Sequence, residues 1–169
     1  MSTLTMENPS KPKALTVHVA KIPEELKRQD KWVVWDFIYK PGAKKPWTKP
    51  PYQANRMKAS VTDPSTWCSF GEAEMAYLNN GFAGIGFVLD GTGVVGIDLD
   101  NCASYQDGWI EPWAQDIVTK FPGEYIEWSP TGTGLHIVTG GKLPPGRRRT
   151  GDVEMYDNAR YLTFTGHRL

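Results

Sequence analysis

The most informative segment of this chain is Gly96-Ile97-Asp98-Leu99-Asp100-Asn101. Its apolar residues alternate with acids, which predicts a strand, and successive side chains of a strand point to opposite faces. Ile97 and Leu99 then share one face, and Asp98 and Asp100 share the other. Two neighbouring carboxylates repel each other, and a hard divalent cation removes that repulsion. The spacing alone is satisfied either by a metal site or by two solvated acids at the end of a strand.

The length and composition predict one globular domain. The chain has 169 residues, of which 40% are hydrophobic and 12% aromatic, and this is enough to bury a core. Residues 1–14 are polar and show no periodicity, so they are expected to form a flexible tail. The domain itself is then expected at residues 15–169.

The formal net charge is zero, but the charges are unevenly distributed along the chain. Residues 37–62 contain no acid and six Lys or Arg residues. Residues 90–127 contain eight acids, with Lys120 as the only base. A basic segment and an acidic segment fit a site that binds a polyanion through a metal, or an ordinary solvated surface.

The cysteines and the hydropathy indicate a cytoplasmic protein. Cys68 and Cys102 are the only cysteines, and neither belongs to a Cys-x-x-Cys pair, so no zinc knuckle is predicted. The sequence opens with no signal peptide and has no apolar run of membrane-spanning length. We therefore expect two free thiols in a soluble protein.

The order of predicted elements indicates an α+β fold with a mainly antiparallel sheet, rather than a doubly wound parallel sheet. Ser69 and Glu72 have capping-box spacing ahead of a predicted helix. Residues 84–89 and 94–100 are predicted to pair as a hairpin across the turn at 90–93. The other predicted elements are a strand at 32–39, a helix at 113–121, and strands at 125–129, 135–139, 153–156 and 160–165.

A second cluster lies in a Gly-rich turn between two predicted strands and reads Ser129-Pro130-Thr131-Gly132-Thr133-Gly134-Leu135-His136. The backbone N–H groups of such a turn, together with its hydroxyls, can hold phosphate oxygens. His136 lies on the face opposite Leu135 and Ile137, where it can donate to a phosphate. The alternative is a Gly-rich hairpin with a half-buried histidine.

A third cluster reads Val153-Glu154-Met155-Tyr156-Asp157-Asn158-Ala159-Arg160-Tyr161. Glu154 and Tyr156 are expected on the open face, where Glu154 could complete a three-carboxylate metal site. Arg160 could bind a triphosphate through its planar guanidinium, and the ring of Tyr161 could stack on or limit a sugar. The alternative is a surface hairpin with a weak ion pair between Glu154 and Arg160.

Two basic patches could contact nucleic acid. Arg147, Arg148 and Arg149 are adjacent in a predicted loop and suit backbone phosphates, or form a solvated charge run. Residues 44–58 interleave lysines with Trp47 and Tyr52, which suits a single strand through charge and stacking. The candidate DNA-binding residues are Arg147, Arg148, Arg149, Lys49 and Arg56.

Taken together, these clusters resemble the three motifs of the archaeo-eukaryotic primase superfamily. More narrowly, they resemble the bifunctional DNA primase/polymerase N-terminal (prim-pol) domain of phage and plasmid replication proteins. The matching segments are Gly96 to Asp100, Ser129 to His136 and Glu154 to Gly166, with Lys49-Pro50-Pro51 and Asp63 to Trp67 upstream. The resemblance covers the chain from about Trp32 onward.

The resemblance implies template-directed nucleotidyl transfer from nucleoside triphosphates on DNA, by a primase, a DNA polymerase or both. It implies two Mg2+ or Mn2+ ions held by Asp98, Asp100 and Glu154, with His136 as a further catalytic residue. The residues that would position the triphosphate are Ser129, Thr131, Gly132, Thr133, Gly134, His136, Arg160 and Tyr161.

The resemblance also implies a two-module primase-polymerase core in which an RRM-like sheet carries the acids. Single-stranded DNA template, primer and nucleoside triphosphates would be its partners, with a helicase domain or protein as a further partner and no membrane. The chain is expected to be the N-terminal part of a longer protein, which would act in the host-cell cytoplasm if a phage encodes it.

Two other classes of function stay open at this point. A metal-dependent phosphohydrolase or nuclease would use the same acids to activate water, although the phosphate-binding turn beside His136 argues against a simple nuclease. A non-catalytic nucleic-acid-binding module would need no acids on its open face, because without a metal they repel phosphates.

Overall fold

The computed structural model describes residues 8–169, so the first seven residues of the predicted tail lie outside the described residues. The α-helices in this range are α1 (Glu24–Lys27), α2 (Phe70–Asn80) and α3 (Pro112–Val118), and two 3-10 helices span Val19–Lys21 and Pro64–Thr66. The strands are β1 (Trp32–Trp35), β2 (Ile38–Tyr39), β3 (Trp47–Thr48), β4 (Pro51–Tyr52), β5 (Gly84–Asp90), β6 (Val94–Leu99), β7 (Ala103–Ser104), β8 (Trp109–Ile110), β9 (Tyr125–Trp128), β10 (Leu135–Gly140), β11 (Arg149–Thr150), β12 (Val153–Tyr156) and β13 (Asn158–Phe164).

Two larger sheets organise the chain. The four-stranded sheet has the order β13-β5-β1-β4, and the five-stranded sheet has the order β11-β12-β6-β10-β9. Every strand pair in both sheets is antiparallel. The predicted α+β class with a mainly antiparallel sheet is therefore confirmed, while the RRM-like character of the catalytic part stays a prediction.

The predicted hairpin of β5 with β6 is wrong, because the two strands belong to different sheets. β5 pairs with β1 on one edge and β13 on the other, and it is buried along its length up to Asp90. β6 likewise has both edges occupied, by β10 and β12. The turn between them crosses from one sheet to the other, aided by Gly91 and Gly93, both of which have positive φ.

Helix α2 begins at the predicted capping box. The Ser69 hydroxyl accepts from the Glu72 N–H, and the Glu72 carboxylate accepts from the Ser69 N–H. The helix buries Ala73 and Ala76 against the four-stranded sheet, where the ring of Trp32 contacts aromatic residues of three other elements, namely Phe70, Phe87 and Phe164.

The five-stranded sheet has two different faces. One face carries Ile97, Leu99, Leu135 and Ile137, which pack with the fully buried Ala114 of α3. The opposite face turns toward the four-stranded sheet, and at one end Tyr125 and Val138 join that sheet in a common apolar core. The alternation of β6 therefore directs Asp98 to the side on which the two sheets meet.

Candidate active site

A row of polar side chains crosses the five-stranded sheet. In the register of the sheet, Arg149 is opposite Glu154, Glu154 is opposite Asp98, Asp98 is opposite His136, and His136 is opposite Glu127. Directly opposite residues of antiparallel strands place their side chains side by side on one face. The structure thus brings together Asp98, His136 and Glu154, which come from three separate clusters of the sequence.

Asp98 lies at the centre of this row. Its side chain is 31% exposed, and Oδ1 lies 3.6 Å from His136 Nε2. Burial raises the pKa of Asp98, and the charges of Asp100 and Glu154 raise it further, against the opposing charges of His136 and Lys49. A cation bound to the Asp98 carboxylate would relieve the repulsion between these like charges.

The other two predicted ligands flank Asp98, and each lies close to a basic side chain. Glu154 Oε1 lies 2.9 Å from Arg149 Nη1, and its Oε2 accepts from the Tyr156 hydroxyl at 2.8 Å. Asp100 follows the last residue of β6, and its Oδ2 lies 3.6 Å from Lys45 Nζ. All three carboxylates are thus partly balanced by protein cations or hydroxyls.

His136 is almost completely buried at 2% exposure, with Nδ1 3.1 Å from Glu127 Oε1. Burial by itself lowers the pKa of this imidazole, but the hydrogen bond to Glu127 and the charges of Asp98 and Glu127 outweigh it, so the pKa lies above its ordinary value. The Nε2 side of the ring faces Asp98 and the open part of the site.

Glu127 belongs to the same row, although no sequence motif pointed to it. It is fully buried and accepts hydrogen bonds from the backbone of Thr165 and Gly166 and from the Tyr125 hydroxyl, and its Oε1 lies 3.1 Å from His136 Nδ1. The available signal was a lone acid inside the apolar strand 125–128, because charged residues are almost never fully buried unless they are paired.

A cleft of about 220 Å3 opens beside Asp98 and His136, and its other lining residues are Lys49, Tyr161, Leu162 and Thr163. The ammonium of Lys49 lies over the ring of Trp35, 5.9 Å from its centroid. Desolvation lowers the pKa of Lys49, and the charges of Asp98 and Asp100 oppose that shift. Lys49, predicted to contact DNA, therefore lies beside the acids.

The Gly-rich turn 129–134 closes on itself. The Ser129 hydroxyl accepts from Gly134 N–H, and the Ser129 carbonyl accepts from Gly132 N–H. Gly134 has no room for a side chain, since a Cβ would collide with the carbonyl of Leu99. Thr131 and Thr133 stay exposed, with their hydroxyls 2.9 Å apart. Several N–H groups of the predicted phosphate cradle are therefore used within the protein.

Arg160 and Tyr161 point to different places. The Arg160 guanidinium lies over the ring of Tyr156, 4.7 Å from its centroid, in a second cleft of about 890 Å3 that also contains Lys142 and Arg148. Tyr161 lines the smaller cleft with Asp98 and His136. The structure does not bring Arg160 into the cleft beside Asp98.

The predicted DNA-binding residues also lie in different surroundings. Arg147 is exposed, Arg148 donates to the carbonyl of Pro144, and Arg149 pairs with Glu154 in the row. Arg56 lies over the ring of Phe82 and donates to the carbonyl of Asn80 at the end of α2.

The donor chemistry of the row fits a hard divalent cation. Mg2+ is bound by carboxylate oxygens, with one or two protein carboxylates completed by waters and substrate phosphates. Asp98 and Glu154 are cross-strand neighbours, and Asp100 is close enough to Asp98 for its charge to raise the pKa of Asp98. Within residues 8–169, no three His, Cys, Asp or Glu side chains are close enough to enclose a metal by themselves.

The chain is thus an α+β protein in which a row of carboxylates and a histidine lies between two antiparallel sheets. The chain is 35% identical, over 158 residues, to a protein from Nitratiruptor phage NrS-1 named DNA primase-polymerase. The match covers 88% of this chain, and the chain spans about a fifth, 21%, of the length of that relative. The predicted resemblance is thereby confirmed: the chain is a homologue of part of a phage DNA primase-polymerase.

No known family model matches the chain. Among the helices formed by residues 8–169, none has the length and apolar character needed to cross a bilayer.

Proposed function

We propose that this chain is a catalytic domain for template-directed nucleotidyl transfer on DNA, acting as a primase, a DNA polymerase or both. The observation that carries the proposal is the side-by-side arrangement of Glu154, Asp98 and His136, of which Asp98 and His136 line a cleft that also contains Lys49. The named relative supports the same activity, but the chain spans only a fifth of it. The transfer of that activity to this chain is therefore part of the proposal.

Asp98, Asp100 and Glu154 are the residues that would hold divalent cations, Mg2+ or Mn2+. When bound, such ions lower the pKa of an attacking hydroxyl and stabilise the charge of the leaving pyrophosphate. Asp100 and Glu154 add negative charge beside Asp98, and this repulsion favours the binding of a cation to Asp98. Lys45 and Arg149, which lie against Asp100 and Glu154, limit that repulsion while the acids are free.

Lys49 and His136 are placed to contact the triphosphate. The Lys49 ammonium and the His136 Nε2 edge line the cleft beside Asp98. The ammonium can donate to phosphate oxygens, and Nε2 can do so when both ring nitrogens of His136 carry a proton. The exposed residues Thr131 and Thr133 carry hydroxyls that are further candidate donors. In this proposal Lys49 acts on the nucleotide, while the exposed Arg147 contacts backbone phosphates of DNA.

The test is incorporation of labelled deoxynucleotides and ribonucleotides on single-stranded DNA, with and without a primer, in Mg2+ or Mn2+. The variants are Asp98→Asn and, as a matched control, Asp116→Asn, which changes an exposed aspartate of α3. We expect metal-dependent, template-dependent products from the wild type and the control, and none from Asp98→Asn.

Other outcomes would replace the proposal with a named alternative. Product formation by Asp98→Asn at the wild-type rate would contradict the metal-binding role. Metal-dependent release of phosphate or cleavage of DNA without incorporation would indicate a phosphohydrolase or nuclease. Binding of DNA without any turnover would indicate a binding module.

A further inference from the structure

Glu127 is a buried carboxylate for which the proposed reaction has so far no use. It is fully buried in the middle of β9, one strand away from His136 and two strands away from Asp98. Burying a charged group is unfavourable unless hydrogen bonds and charges compensate it. The hydrogen-bond partners of Glu127 therefore indicate its role.

The hydrogen bonds of Glu127 determine which nitrogen of His136 carries a proton. Oε2 accepts from the N–H of Thr165 at 2.9 Å and of Gly166 at 2.8 Å, and Oε1 accepts from Thr165 N–H at 3.1 Å. Because a backbone N–H can only donate, both oxygens act as acceptors here. Since an ionised carboxylate has no proton to donate, we assign the proton of this contact to the Nδ1 atom of His136, which lies 3.1 Å from Oε1.

The same carboxylate joins the two walls of the cleft. His136 belongs to the five-stranded sheet, whereas Thr165 follows β13, the edge strand of the four-stranded sheet that supplies Tyr161 to the cleft. Beyond this point the chain continues alongside β9, where Trp128 N–H donates to the carbonyl of His167. Glu127 therefore accepts hydrogen bonds both from the five-stranded sheet and from the segment that follows β13.

We propose that Glu127 is a positioning residue that holds the His136 ring with Nδ1–H toward itself and Nε2 toward Asp98 and the cleft, while it fixes β13 against the same histidine. This proposal rests on the proposed nucleotidyl transfer for its effect on catalysis. Its statement about the ring of His136 stands on geometry alone. Replacing the orienting partner of a metal-ligating histidine typically costs about tenfold to a hundredfold in activity, and we expect a loss of the same size for the partner of His136.

The first test reads the ring directly and needs no activity. Nitrogen-15 NMR of histidine-labelled wild-type protein, with the His136 signals assigned through His136→Asn, reports which ring nitrogen bears a proton. We expect a proton on Nδ1 of His136. A neutral ring protonated only at Nε2 would overturn the proposal, whether or not the protein is a polymerase.

The second test is a double-mutant cycle on nucleotide incorporation with Glu127→Gln, His136→Asn and the double variant. Glu127→Gln should lower the rate by tenfold to a hundredfold, and it should lower the rate less than twofold further when His136 is already replaced. Glu124→Gln, an exposed glutamate just before β9, is the matched control and should match the wild type.

If the fold-losses in rate caused by Glu127→Gln and His136→Asn multiply in the double variant, the carboxylate has only a structural role and the proposal is overturned. Urea unfolding of each variant shows whether the rates compare folded proteins. If Glu127→Gln does not fold, the ring measurement on the wild type decides. If the wild type incorporates no nucleotide, the proposed function fails while the ring measurement still decides the role of Glu127.

Discussion

The hydroxyl of Tyr161 donates a hydrogen bond to the backbone carbonyl of Lys49, across 112 positions of sequence. The ring of Tyr161 packs over Gly86, where a Cβ would lie 2.5 Å from its Cδ2 atom. Tyr161 thus anchors the segment that brings Lys49 over the cleft, and its hydroxyl is not free to meet a sugar in this structure. The contact connects two residues for which the sequence predicted unrelated roles.

Removing this hydroxyl should weaken nucleotide binding more than turnover. Tyr161→Phe deletes one hydrogen bond, worth about 0.5–1.5 kcal/mol, and loosens the Lys49 segment. We expect the KM for the nucleotide to rise about twofold to tenfold with kcat nearly unchanged, measured by steady-state primer extension. Tyr52→Phe, in the neighbouring strand β4, is the control. An unchanged KM would show that the anchor does not matter for the substrate.

Removing the charge of Lys49 should weaken nucleotide binding more than removing the Tyr161 hydroxyl that anchors its segment. Lys49→Met keeps the length of the side chain and removes the ammonium beside Asp98. Hydrogen bonds to charged groups contribute about 1.5–3 kcal/mol, so triphosphate affinity should fall by about tenfold or more. Equilibrium binding of a labelled nucleotide to the variant measures this loss.

Lys44→Met removes an exposed charge of the same loop and is the control for Lys49→Met. Equal losses of nucleotide affinity in the two variants would mean that the loop acts through general charge. A loss of affinity for single-stranded DNA alone, with nucleotide binding intact, would return Lys49 to the DNA-binding role predicted from the sequence.

The turn before His136 should tolerate no side chain at Gly134. A Cβ there meets the carbonyl of Leu99, a backbone atom that cannot rotate away. Gly134→Ala should lower the free energy of unfolding by about 1–3 kcal/mol, as overpacking typically does. Urea denaturation checks this value. The control is Gly71→Ala, because a Cβ at position 71 would meet no atom within 4 Å. An unchanged midpoint for Gly134→Ala would contradict the packing of this turn.

Both thiols should react slowly in the folded protein. Burial raises the pKa of Cys68 and of Cys102 from 9.0 to about 11, with nearby acids contributing in each case. Only the thiolate attacks alkylating reagents. At pH 8 a pKa of about 11 leaves about a hundredfold less thiolate than a pKa of 9.0, so native labelling should be slower than labelling in urea by at least that factor.

Because raising the pH restores thiolate, the native labelling rate should increase with pH until about pH 11. Cys102 is fully buried and Cys68 partly so, and Cys68 should label first. Mass spectrometry after timed exposure to iodoacetamide identifies the modified residue. Equal native and unfolded rates at pH 8 would contradict this prediction.

Local patterns were sufficient wherever a single element decides the outcome. The alternation of Ile97 and Leu99 with acids placed Asp98 on a polar strand face, and the capping box placed the start of α2 at Ser69. The same reasoning placed His136 on the face opposite Leu135. These features follow from the period of a strand and from the unsatisfied N–H groups of a helix end.

The failures occurred where two distant segments compete for the same partner. The turn after β5 suggested a hairpin, but β5 pairs with β1 and β13 instead and β6 enters the other sheet. Glu127 gave only a weak signal, because its partners Thr165 and Gly166 are 38 and 39 positions away. The Gly-rich turn looked like a phosphate cradle, yet Ser129 uses its hydroxyl to accept from Gly134.

Residue patterns were enough to predict the fold class, the strand faces that carry Asp98 and His136, and the resemblance to primase-polymerase domains. The pairing of the strands became known only from the folded chain, and so did the row from Arg149 to Glu127 and the contact of Lys49 with Tyr161. The direction of a side chain depends on local backbone geometry, whereas strand order depends on which buried faces and edges pack best over the whole chain.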